Sequence, residues 1–116
     1  MTILKPQPGP GGVPEVGPED LQPHVGKVRL IDVRRPDEYA GELGHIPGAE
    51  LVELGPDLMR WLETAGDRSQ EIVFICRSGG RSCQATAASR QMGFKNTINL
   101  RGGMMQWNAR GFVTEK

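Results

Sequence analysis

Ile72-Val73-Phe74-Ile75-Cys76-Arg77-Ser78-Gly79-Gly80-Arg81-Ser82 is the stretch on which the fold turns. Four apolar residues in a row, β-branched or aromatic, read as a short strand buried on both faces. The strand delivers Cys76 to a turn. Gly79 and Gly80 admit backbone conformations that other residues resist. A helix then begins about where the turn ends and stops at Gly93, with Ala85, Ala88 and Met92 expected on its buried stripe. In open α/β sheets ligands sit at the carboxyl ends of strands, which is where Cys76 falls.

Working outward, Val28-Arg29-Leu30-Ile31-Asp32-Val33 is a second β-branched run that suits a buried strand. Pro36-Asp37-Glu38-Tyr39 opens a short helix that Gly41 and Gly44 close. Leu54, Leu58, Trp61 and Leu62 fall on one face of a helix begun by Pro56 and stopped by Gly66. Thr97-Ile98-Asn99-Leu100 makes a last short strand before Gly102-Gly103 and a final helix carrying Trp107. Trp61 and Trp107 read as core anchors. Gly17-Pro18-Glu19-Asp20-Leu21 has proline and acids where a helix start favours them. Strands alternating with helices predict an α/β fold, a mostly parallel sheet with helices on both faces.

Residues 5–18 are dominated by proline and glycine, a composition that buries too little apolar surface to offset its ordering. The expected organisation is therefore a flexible tail over 1–12 and one domain over 13–116, with Val13 to Val16 as a short edge strand that tolerates Pro14. A chain of 116 residues fits one compact domain.

Net charge is zero, but residues 1–75 hold 7 Lys/Arg against 13 Asp/Glu, and residues 76–116 hold 7 Lys/Arg against Glu115 alone. Either folding mixes these charges or the C-terminal third faces a small anion. With no Lys/Arg run and few aromatics, nucleic acid is not an expected partner. No run is long enough to span a bilayer, so no membrane partner is expected either. The N-terminus lacks the apolar core of a secretory signal, and two cysteines make no disulfide framework, so a reducing cytoplasm is the expected location.

The chemistry concentrates in the loop. Gly79 and Gly80 let successive N–H groups point inward, the following helix adds partial positive charge at its start, and Arg77 and Arg81 add formal charge. Each effect favours the Cys76 thiolate, the nucleophilic form. The thiolate can take the outer sulfur of a donor, hold it as a persulfide and pass it to a second nucleophile. An inert buried cysteine before an ordinary turn is the competing reading. Cys76 and Cys83 lack metal-ligand spacing and neither histidine lies near them in sequence, so no metal site is expected. No cofactor is implied. Cys83 reads as a small core residue, with a resolving thiol as the alternative.

At this point the chain resembles a single-domain rhodanese, in register from Leu30 to Gly111. Leu30-Ile31-Asp32-Val33-Arg34 with Glu38-Tyr39, Gly44-His45-Ile46-Pro47-Gly48-Ala49, Cys76 through Ser82, and Gly93-Phe94, Asn99-Leu100, Gly102-Gly103 and Trp107 are similar to the family's successive signatures. The resemblance implies an α/β sandwich around a five-stranded sheet and a persulfide on Cys76 ringed by backbone N–H groups. It also implies an anionic donor such as thiosulfate, and cyanide, a thiol or a sulfur-acceptor protein as acceptor. Arg77, Ser78, Gly79, Gly80, Arg81 and Ser82 form the expected substrate-binding loop. Asp32 is expected to accept hydrogen bonds behind it. Arg34 is expected either to reach the mouth of the site or to pair with Asp37 or Glu38, and His45 to hold a turn. Four residues separate Cys76 from Arg81. Related phosphatases and arsenate reductases resemble C-x5-R, which would need arginine at position 82, where Ser82 stands. The shorter loop favours sulfur. A sulfur-carrier or regulatory binding module remains the non-enzymatic alternative.

Overall fold

The computed structural model describes residues 2–116. Six strands form one sheet in the order β1-β2-β6-β5-β3-β4: β1 Gln7–Pro8, β2 Pro14–Val16, β3 Arg29–Asp32, β4 Glu50–Leu51, β5 Ile72–Ile75 and β6 Thr97–Leu100. The five strands from β2 to β4 run parallel, and β1 adds an antiparallel sixth at the edge. The helices are α1 Pro18–Leu21, α2 Pro36–Tyr39, α3 Pro56–Thr64, α4 Gly80–Gln91 and α5 Gly103–Ala109. Among the described residues no helix is long and apolar enough to cross a membrane.

Side chains alternate along a strand, so each central strand feeds two cores. Val73 and Ile75 join Leu30, Ile98, Leu100, Leu21, Met104 and Trp107 on one face. Ile72, Phe74 and Cys76 point the other way, to Ile31, Val33, Leu58, Leu62 and Ala85. The cysteine thus shares the face covered by α3 and α4. Asn99 lies between Ile98 and Leu100 and so turns to that face too, toward α4.

Three expectations need correction. Residues 2–12 are placed against the sheet rather than free of it. Leu4 is buried, Ile3 and Leu4 donate their backbone N–H groups to the Glu71 carboxylate at 2.8 Å each, and Gln7–Pro8 pairs with Pro14–Glu15. Second, the buried face of α4 is Ser82, Ala85, Thr86 and Ser89, while Ala88 and Met92 are half-buried. Its small polar groups are satisfied inside: Thr86 Oγ1 donates to Ser82 O, and Ser89 Oγ lies 2.7 Å from both Thr86 O and Thr97 Oγ1. Third, Trp107 is a core anchor but Trp61 is only half-buried, with the Arg29 guanidinium 4.9 Å over its ring.

Candidate active site

β5 ends at Ile75, and Cys76 is the first residue beyond it, fully inside the protein. The chain then folds back over the sulfur. Gly79 takes φ +104°, a left-handed conformation that suits glycine. A Cβ there would sit 3.3 Å from Gly102 N, so the position also needs the space. In that conformation Gly79 N donates to Cys76 Sγ at 3.0 Å. One turn into α4, Ser82 Oγ lies 3.2 Å from the same sulfur.

The opposite side of the loop is held by α5. Met104 N donates to Cys76 O at 2.9 Å and Met105 N to Arg77 O at 3.0 Å. This docking requires a glycine at 103: φ is +54°, and a Cβ would lie 2.4 Å from Cys76 O. With these carbonyls drawn toward α5, the loop's N–H groups are left to face the sulfur.

Burial pushes the Cys76 thiol up. The Ser82 hydroxyl and the N–H groups of Ser82, Gly79 and Ser78 outweigh it, and the thiol ends below its ordinary value. The start of α4 adds its partial positive charge. The arrangement favours the thiolate form, whose charge would be met by fixed donors rather than by a neighbouring base.

The expected site residues divide into groups. Cys76, Ser78, Gly79 and Ser82 surround the sulfur, and Gly80 is the first residue of α4. Arg77 is exposed, with Nη1 3.7 Å from Met105 Sδ, and among the described residues no carboxylate pairs with it. Arg81 instead gives both guanidinium arms to Glu38, at 2.7 and 2.8 Å. That pairing holds the Glu38 carboxyl at about 2, well below its usual value. Arg101 and Arg110 likewise meet Glu15 and Glu19, so much of the charge asymmetry along the chain cancels across the fold.

Asp32 and Arg34 form their own unit. Arg34 Nε and Nη2 donate to Asp32 Oδ1 and Oδ2 at 2.8 and 2.7 Å, and Nη2 also to Gly44 O at 2.8 Å. Both residues are buried, so Arg34 forms an internal pair with Asp32 instead of a surface pair with Asp37 or Glu38. Asp32 shares the face of Leu30, opposite that of Cys76, which is why the pair braces the end of β3 and makes no hydrogen bond to the loop. His45 holds a turn: Nδ1 lies 3.0 Å from Tyr39 O, and its ring stacks on Tyr39 at 3.8 Å.

Loop residues wall two depressions. One of about 190 Å³ lies between Arg34, Arg77, Glu38 and Glu42. The other, about 460 Å³, is lined by Ser78, Gly79, Gly80, Cys83, Asn99 and Arg101. Cys83 is half-buried and borders this second depression, so it is less enclosed than a core residue. Two contributors were not singled out from the sequence as site residues. Asn99, beside Ser82, was visible there as a strand residue within a signature segment, and Glu38, the partner of Arg81, as a helix residue and a candidate partner for Arg34.

Comparison with known proteins identifies a family and a fold. The Rhodanese-like domain family profile matches residues 18–110. A protein of Allochromatium vinosum named sulfurtransferase is 37% identical over 102 residues, covering 85% of this chain and 92% of that one. The thiosulfate:glutathione sulfurtransferase of Saccharomyces cerevisiae is 32% identical over 108 residues, covering 80% of this chain and 76% of that one. Among solved structures, the rhodanese-like domain of the Anabaena protein Alr3790 superposes with a TM-score of 0.75 at 25% identity, covering 87% and 77% of the two chains.

Proposed function

The chain belongs to the rhodanese-like domain family, and from that premise we propose that it moves sulfane sulfur from thiosulfate to a thiol or cyanide through a persulfide on Cys76. The observation that carries this reading is the sulfur's surroundings. Cys76 Sγ has Gly79 N at 3.0 Å and the Ser82 hydroxyl at 3.2 Å, and burial is outweighed by these donors.

The two steps follow from a thiolate held ready. Cys76 Sγ attacks the outer sulfur of thiosulfate. A new S–S bond forms, the donor's S–S bond breaks, and its electron pair leaves on sulfite. The negative charge then sits on the outer sulfur of the persulfide. In the second step cyanide or a thiolate attacks that outer sulfur, the persulfide bond breaks, and its electron pair restores the Cys76 thiolate. Thiocyanate or a new persulfide leaves. No external base, metal or oxidant enters either step.

Phosphoryl transfer has less support. A phosphoryl group needs positive charge on its equatorial oxygens, and Arg81 has both arms engaged by Glu38. The relatives named as sulfurtransferases favour catalysis over a purely regulatory module, and Cys76 supplies the nucleophile that catalysis needs.

The test is intact-mass measurement after mixing with thiosulfate. The protein should gain one sulfur atom, lose it to cyanide or a thiol, and gain none as Cys76→Ser. Turnover by pure Cys76→Ser protein would overturn the assignment.

A further inference from the structure

The Ser82 hydroxyl has one proton and two acceptors in reach. Its Oγ lies 3.2 Å from Cys76 Sγ and 2.5 Å from Asn99 Oδ1. Ser82 and Asn99 are both buried. The Asn99 amide is not free to turn: its Nδ2 donates to Gly79 O at 3.2 Å, and a carbonyl can only accept. Asn99 Oδ1 must therefore face Ser82. Among the described residues Ser82 is the one side-chain donor bonded to that oxygen.

We propose that Asn99 is a positioning residue that competes with Cys76 for the Ser82 proton, holding it while the cysteine carries sulfur and releasing it to the bare thiolate. This deepens the persulfide reading and rests on it. With Cys76 as a bare thiolate, the charge sits on Sγ, and a hydrogen bond to a charged acceptor outweighs one to a neutral amide. The Ser82 hydroxyl then turns to sulfur. Once a second sulfur is bonded, the charge moves one S–S length outward, about 2 Å. Sγ becomes a neutral divalent sulfur, a weak acceptor. Asn99 Oδ1 is now the better partner, and the hydroxyl turns back. Only the Cβ–Oγ torsion changes; no proton leaves its oxygen. Asn99 thus favours the loaded state over the bare thiolate, while Ser82 alone favours the thiolate.

The two residues should therefore have opposite effects on Cys76. The readout is the pH dependence of iodoacetamide alkylation at Cys76, in a Cys83→Ser background so that one thiol reports. Ser82→Ala should raise the apparent pKa. Asn99→Ala should lower it, giving about a three- to tenfold larger thiolate fraction below the midpoint, since one pH unit is a factor of ten. In a Ser82→Ala background, Asn99→Ala should have no further effect. Asn99→Asp preserves the side chain's size and should move the pKa up. A merely structural asparagine would not give opposite signs for these two changes, nor an effect that vanishes with Ser82. An unchanged or raised pKa in folded Asn99→Ala protein overturns the proposal.

A second arm measures the fraction of persulfide at a fixed thiosulfate-to-sulfite ratio, which should fall in Asn99→Ala. Unchanged loading there overturns the alternation. A parent protein that takes up no sulfur overturns the sulfur-transfer reading and the alternation with it. Alkylation needs no sulfur donor and still decides whether Asn99 competes for the proton.

Discussion

Arg81 and Glu38, 43 residues apart in sequence, meet through two hydrogen bonds, Nη1 to Oε1 at 2.7 Å and Nη2 to Oε2 at 2.8 Å. The contact ties α2 to the first turn of α4, beside the cysteine loop. It also means that the charge nearest to Ser82 in sequence is already balanced. Glu38→Gln should therefore do what loss of an arginine would not: lower KM for thiosulfate several-fold at low salt, by leaving Arg81 uncompensated near an approaching dianion. The gain should shrink in 1 M salt, where the screening length is about 3 Å. Initial rates against thiosulfate at two ionic strengths make the check. A KM that rises, or that ignores salt, would show that the pair serves α2 placement alone.

The same pair has an acid signature. Arg81 holds the Glu38 carboxyl at about 2, down from 4.5. A carboxyl depressed on folding contributes stability that is present above its unfolded value and lost as pH falls through its folded value. The loss should run from about pH 4.5 to about pH 2. Arg81 is one-third exposed, so solvent screening keeps the contribution modest. Chemical-denaturation midpoints across this window should fall less steeply in Glu38→Gln than in the parent. Parallel curves would remove the pair from the acid response.

The internal pair Asp32–Arg34 should behave differently, because neither partner can turn to water. Their relative exposures are 0% and 1%. Removing one partner strands the other's charge. Asp32→Ala should cost about 3–5 kcal/mol, far more than loss of a surface pair such as Arg60–Asp57. Equilibrium unfolding in urea measures it. A change below about 1 kcal/mol would mean that water reaches the site.

Deleting residues 1–11 should lower the melting temperature, because this segment contributes a buried leucine and a strand pairing. Burial of Leu4 alone contributes about 1.5–3 kcal/mol. In a domain of this size 1 kcal/mol moves the midpoint by roughly 4–8 °C. Glu71→Ala should reproduce part of the loss, since its carboxylate holds the N–H groups of Ile3 and Leu4. An unchanged midpoint in both proteins would restore the reading of residues 1–12 as a free tail.

Contacts close in sequence were the legible ones. Ile72–Ile75, Cys76 and the two glycines define strand, turn and helix within a dozen residues, and each carries its own local preference. What was not legible depends on distant partners. Leu4 is a single apolar residue in a Pro/Gly-rich segment, and its burial rests on Glu71, 67 residues away. α4 buries serine and threonine because those groups bond to Thr97, Asn99 and its own carbonyls, so a count of apolar residues picks the wrong stripe. Asn99 reads as one of two polar residues in a four-residue strand until Ser82 is set opposite it. The central strands followed from alternation of strands and helices; the two-residue edge strands did not, neither the antiparallel β1 nor the parallel β4 at Glu50–Leu51.

Gly103 offers a test of how far the sulfur's surroundings depend on a residue that never touches it. α5 docks on the loop through Met104 N to Cys76 O and Met105 N to Arg77 O. At Gly103 an added Cβ would lie 2.4 Å from Cys76 O and 2.7 Å from Arg77 C and O, and φ is +54°. All three atoms are backbone, so the overlap can be relieved only by moving the loop or α5. Either movement disturbs the N–H groups around Cys76 Sγ. Gly103→Ala should therefore slow sulfur transfer and raise the apparent pKa of Cys76 alkylation, beyond any effect of stability. Gly111→Ala is the control: φ is +72°, but nothing lies within 4 Å of its Cβ position. It should show the left-handed backbone penalty of about 1–2 kcal/mol and leave turnover of the folded protein unchanged. Equal stability losses with activity lost only in Gly103→Ala would assign the effect to the loop. Full activity in Gly103→Ala would mean that the ring around Cys76 holds its shape without α5 docked against it.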